Sequence, residues 1–86
     1  MNKYDAKIYV TLRNGVNDPQ GFTVKDKLNR LGYESLLDLR IGKYIEAEIT
    51  AENKEAAHAV IREICDKVLA NPVIENFKID ITEFGE

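Results

Sequence analysis

Few residues in this 86-residue sequence carry reactive side chains. His58 is the only histidine and Cys65 the only cysteine. With one of each, the chain assembles neither a zinc site nor a Cys–His nucleophile. His58 reads as a histidine at the flank of an apolar helical stripe, and Cys65 as a buried structural thiol. Glu46 and Glu48 share the outward side of an alternating segment, where carboxylates keep a surface soluble more often than they form an acid–base pair. The glycines at 15, 21, 32, 42 and 85 are scattered and make no phosphate cradle. The inventory points away from catalysis.

Recognition is better supplied. Arg40 and Lys43 flank Ile41-Gly42, and together they could hold a carboxylate or phosphate, arginine as a fork and lysine as a point charge. Cross-strand pairing of Arg40 or Lys43 with Glu46 or Glu48 is the competing use. Val16-Asn17-Asp18-Pro19-Gln20-Gly21 stands where a strand hands over to a helix. Asp18 is suited to cap the free N–H groups of the first turn, and Pro19 to the first helical position. Gln20-Gly21 is more than a cap requires, and Gly21 leaves the backbone open to a close neighbour. The candidate partner-binding residues are therefore Asp18, Pro19, Gln20 and Gly21 in one segment and Arg40, Gly42 and Lys43 in the other. Tyr9 and Tyr44 resemble the stacking aromatics of RNA-binding sheets, but intervening glutamates and a net charge of −3 oppose that use.

The elements that must position these residues follow from periodicity. From Ala6 to Arg13 the pattern has period two, with Ile8, Val10 and Leu12 on one side and Lys7, Tyr9, Thr11 and Arg13 on the other. From Pro19 to Leu31 it becomes helical through Val24, Leu28 and Leu31, with Gly32 placed to end the helix. Leu36 to Ile41 reads as a second strand. Gly42-Lys43 interrupts it as a hairpin or a kink, the hairpin being preferred, before Tyr44 to Thr50 resumes with Ile45, Ala47 and Ile49 inward. Ala57, Val60, Ile61, Ile64 and Val68 form one helical stripe, and Asn71-Pro72 stops that helix. Phe77, Ile79 and Ile81 define a last strand, and the tail from Glu83 to Glu86 is expected to fray.

The order β-α-β-β-α-β predicts a ferredoxin-like α+β sandwich, an antiparallel sheet with both helices on one face. Residues 1–86 make a single domain. A domain this short buries only about 60% of its unfolded surface, so association through the open sheet face is expected. The net charge of −3 argues against nucleic acid. No apolar run approaches the ~20 residues of a membrane span, and the N-terminus lacks a signal-like apolar region. A lone cysteine fits a reducing cytoplasm.

Three segments together resemble the PurS family, the small subunit of phosphoribosylformylglycinamidine synthase. They are Val16-Asn17-Asp18-Pro19-Gln20-Gly21, then Asp38-Leu39-Arg40-Ile41-Gly42-Lys43-Tyr44, then Cys65-Asp66-Lys67-Val68-Leu69-Ala70-Asn71-Pro72-Val73-Ile74-Glu75. The likeness spans nearly the whole chain, with order and spacing intact. Asn17 departs from it, since the family more often has an apolar residue there. The resemblance implies a non-catalytic subunit of purine biosynthesis without a cofactor of its own. It would join a glutaminase subunit to a large synthetase subunit carrying ATP and Mg, and would associate as a homodimer or homotetramer. The residues from Asp18 to Gly21 and from Arg40 to Lys43 would then touch the partners. The main alternative is an ACT-like regulatory domain, whose helix-start N–H groups would take an amino acid's carboxylate. An acyl phosphatase comes third, because no arginine-bearing, glycine-rich loop is present.

Overall fold

Three strands form where apolar and polar residues alternate longest. They are β1 (Asn2–Leu12), β2 (Lys43–Ala51) and β3 (Glu75–Glu83), and the computed structural model describes residues 1–83. The sheet is antiparallel in the order β2-β1-β3, with Ile8 opposite Ile45 on one side and Ile79 on the other. Tyr4, Ala6, Ile8 and Val10 point inward from the central strand and are buried. The opposite face carries Lys7 between Glu46 and Asp80, and Tyr9 against Tyr44 with ring centroids 5.2 Å apart. Such cross-strand pairs hold register on a solvated face.

Helix α2 (Lys54–Ile64) covers the inner face. Asn53 caps it, its side chain accepting the Ala56 N–H at 2.8 Å, with Glu55 in the first turn and Arg62 in the last. Ala57 and Ile61 are buried under it, and Cys65 extends the same row. A single π-helical stretch (Cys65–Leu69) follows, closed by the Ala70 N–H on the Cys65 carbonyl at 2.9 Å. Of the predicted stripe, Ala57 and Ile61 are buried, whereas Val60, Ile64 and Val68 are exposed. Val60 and Ile64 precede the π turn and form the outer edge of the stripe beside Ala57 and Ile61. Only Val68 falls inside it, where the wider winding moves a residue off the face that a 3.6-residue period assigns it.

Helix α1 (Pro19–Arg30) ends as predicted at Gly32, whose φ of +107° lies in the left-handed region. The Gly32 N–H reaches the Asn29 carbonyl and the Tyr33 N–H the Leu28 carbonyl, each at 3.1 Å, which closes the last turn.

The antiparallel α+β arrangement of the expected ferredoxin-like fold stands, but two elements differ from expectation. Leu36 to Ile41 forms no strand, because its backbone donors are spent elsewhere. Leu36 N–H goes to the Tyr33 carbonyl, Leu39 N–H to the Asp38 side chain and Ile41 N–H to the Asp18 side chain. Gly42 accordingly closes no hairpin; it presses against β1, where a Cβ would overlap the Val10 carbonyl oxygen. Helix α1 also has no extended packing on the sheet. Its only buried residue is Gly21, while Phe22 and the C-cap residue Leu31 are 68% and 66% exposed. The Glu83 end of the expected frayed tail closes β3, and the rest of that tail lies outside the described residues.

Candidate interaction site

At one end of the sheet, where β1 finishes and β2 and β3 begin, three distant segments are tied together by side chains bonding to backbone. Asp18 makes the first tie. One carboxylate oxygen accepts the Gly21 N–H at 2.9 Å, as a helix cap does, and the other accepts the Ile41 N–H at 3.0 Å. These bonds, Gly21 first and Ile41 second, hold its carboxyl below the ordinary value of 3.8, with a smaller contribution from the Arg40 guanidinium. Gly21 must lack a side chain here, since a Cβ would overlap the Asp18 carboxylate and crowd the Leu39 carbonyl.

Arg40 makes the second tie. Its Nη2 donates to the carbonyls of Leu12 at 2.8 Å and Arg13 at 3.1 Å, just past the last β1 residue to pair with β2. Those carbonyls would otherwise face solvent, and a guanidinium satisfies both at once. Lys43 reaches elsewhere, its Nζ donating to the Leu69 carbonyl at 3.1 Å at the end of the π turn. Both cations of the predicted anion fork are thus engaged with backbone oxygens and do not converge on one point. Neither appears in an ion pair with Glu46 or Glu48 among the described residues. Pro19 opens α1, and Gln20 beside it is exposed.

Arg13 makes the third tie and was not singled out by its sequence position. Its Nε and Nη2 both donate to the Pro72 carbonyl, at 3.1 and 2.8 Å, while its own N–H reaches the Ile74 carbonyl at 2.8 Å. The loop it grips is organised internally. Asn71 Oδ1 accepts the Val73 N–H at 3.1 Å, and Glu75 Oε1 accepts the Asn71 N–H at 2.8 Å. The only prior signal for Arg13 was its outward place at the end of an alternating strand.

The chain's one cysteine and one histidine stand apart from these ties. Burial pushes the Cys65 thiol up, away from the reactive thiolate. His58 is exposed on α2. Among the described residues no three of His, Cys, Asp and Glu gather as a metal site would require. The Gly21 N–H that an amino acid's carboxylate would seek at the start of α1 is already taken by Asp18. Also among the described residues, no helix is long and apolar enough to cross a membrane.

Fold and site together define a small α+β protein whose chain segments are tied at one end of a three-stranded antiparallel sheet. Residues 5–83 match the family model described as PurS, phosphoribosylformylglycinamidine synthase, and the chain belongs to that family. It is 44% identical over 81 residues to the PurS subunit of Synechocystis, covering 94% of this chain and 81% of that one. Against the PurS subunit of Bacillus subtilis it is 39% identical over 80 residues, covering 93% and 94%. The solved Bacillus subtilis PurS structure superposes with a TM-score of 0.82 at 38% identity, over 93% of this chain and 99% of that one. A chain in the PurLQS structure from Thermotoga maritima superposes with a TM-score of 0.87 at 34% identity, over 95% and 100%.

Proposed function

We propose that this chain is the small, non-catalytic subunit of a phosphoribosylformylglycinamidine synthase. It joins a glutaminase subunit, which releases ammonia, to a large synthetase subunit that converts formylglycinamide ribonucleotide to the amidine. ATP and Mg belong to that large subunit, and the chain itself holds no cofactor. The assembly works in the cytoplasm. One observation carries the reading: the three segments that make the family likeness meet at a single end of the sheet, fixed by Asp18, Arg40, Lys43 and Arg13. A surface end where side chains tie distant segments together suits a connector.

Self-association belongs to the same reading. The Cα radius of gyration is 16.7 Å, against about 12 Å for a compact chain of this length. The open sheet face with Tyr9 and Tyr44, together with Phe22 of α1 and Leu31 at its C-cap, leaves exposed surface that a second copy, in a homodimer or homotetramer, would cover. The test of function is reconstitution. The three purified subunits should carry out glutamine-dependent amidation only when this chain is present. Equal turnover without it, or turnover by the chain alone, would overturn the proposal.

A further inference from the structure

Helix α1 and the segment after it form an arm, residues 19–41, between β1 and β2. Its base is closed by Asp18 on the Ile41 N–H and by Arg40 on the Leu12 and Arg13 carbonyls. The bonds along it, from the Thr23 hydroxyl to Pro19 and from the Asn29 amide to Tyr33 and Leu36, stay within it. Held this way, the arm keeps Val24, Leu31, Tyr33 and Leu37 exposed. Val24, Leu28 and Leu31 share one side of the helix, a stripe with no sheet beneath it.

The inner face of the sheet, meanwhile, has a place for a second helix. On one flank of α2, His58 and Arg62 line a hollow together with Phe77 and Ile79, so that flank faces β3. The opposite flank carries Ala56, Val60 and Ile64 on successive turns and therefore faces β2. Val60 and Ile64 are exposed there, and the inward residues of β2, Ile45, Ala47 and Ile49, are only half-buried. One flank of α2 is polar, and the other borders an apolar groove. From Ile45 to Ile49 the groove runs roughly 13 Å, and the α1 stripe from Val24 to Leu31 about 10 Å. The stripe fits the groove in length and in character.

Resting on the self-association put forward above, we propose that the groove between α2 and β2 receives the α1 arm of a second copy, which takes the first copy's arm in return. The chain's own arm is held off this groove, since its stripe stays exposed while its base is tied down. A two-fold exchange covers stripe and groove in both copies at once, whereas another protein seated in the groove would leave the arm bare. A long molecule suits the exchange, because the arm must reach past its own core to meet another: the longest dimension is 52 Å.

The test follows association of the full chain by sedimentation. Val24→Lys on the arm and Val60→Glu in the groove each bring a charge into the apolar contact. Each variant alone should dissociate at a concentration about tenfold or more above that of the unmodified chain. Both positions are exposed in the single copy, so circular dichroism should not change. An equimolar mixture of the two variants should recover association. In the mixed pair one arm and one groove are unmodified, and in the other contact the lysine meets the glutamate. If both variants associate as the unmodified chain does, the copies meet elsewhere, and the exchange falls while self-association stands. If each dissociates but the mixture does not recover, arm and groove do not meet, and the exchange falls again. An unmodified chain that stays monomeric at every concentration overturns self-association and the exchange together. If V60E keeps its self-association but loses binding to the glutaminase or the synthetase subunit, the groove belongs to that subunit and the proposal is overturned.

Discussion

The Asp18 carboxylate caps its own helix at Gly21 and, with its other oxygen, holds the N–H of Ile41, 23 positions further along the chain. One side chain thus starts α1 and fixes the approach to β2. Because two backbone donors bind its ionised form, the folded-state pKa lies below the ordinary 3.8. Its contribution to stability is therefore present above the unfolded value and lost as pH falls through the folded one. Replacing Asp18 with Asn should lower the urea midpoint at neutral pH. It should also flatten the part of the acid-unfolding curve below about pH 4, where carboxylates titrate. A variant with an unchanged acid limb would show that the carboxylate does not hold this junction.

Gly21→Ala tests the same junction from the other side. In an ordinary helix interior that change stabilises by about 1 kcal/mol. Here the added carbon meets the Asp18 carboxylate and the Leu39 carbonyl, so the sign should reverse. A loss of roughly 1–3 kcal/mol is expected from forcing atoms into a filled space. Denaturant unfolding of both proteins at equal concentration decides it.

Ile61 and Ile64 separate core from surface on α2. Ile61 is 2% exposed and Ile64 39% exposed. Ile61→Ala should cost about 2–5 kcal/mol, the range for a buried isoleucine, and Ile64→Ala clearly less. The sequence pattern alone placed both in one stripe, and equal losses in urea unfolding would restore that view.

Cys65 should be silent in the folded state. Its side chain is fully buried, and burial raises its thiol pKa, so few thiolates are present and none is accessible. A thiol reagent at pH 8 should label it only at the rate of unfolding, and fast labelling without denaturant would contradict this packing.

What was legible in the sequence was local. The alternation in β1, β2 and β3 assigned each side chain to its face, because the two-residue period needs no distant information. Asp18, Pro19 and Gly32 marked the ends of α1 for the same reason. Leu37, Leu39 and Ile41 alternate just as well, yet no strand forms, because the side chains of Asp18 and Asp38 claim two of the N–H groups a ladder would need. Nothing near Ile41 announces a carboxylate so far back in the chain. The π turn at Cys65–Leu69 was hidden for a related reason: its hydrogen bonds change the winding without changing the residue types. At the candidate site the sequence pointed to residues but not to their bonding. Arg40 and Lys43 looked like a free anion fork, but Arg40 holds two carbonyls of its own chain and Lys43 holds one.

The molecule measures 52 × 29 × 14 Å along its principal axes. Its thinnest dimension is little more than the roughly 10 Å that separates two packed layers. Bodies held to its two broad sides would have only one sheet and one helix layer between them. In mechanical terms a chain this flat would serve as a gasket, a thin spacer between whatever is held against its two broad sides.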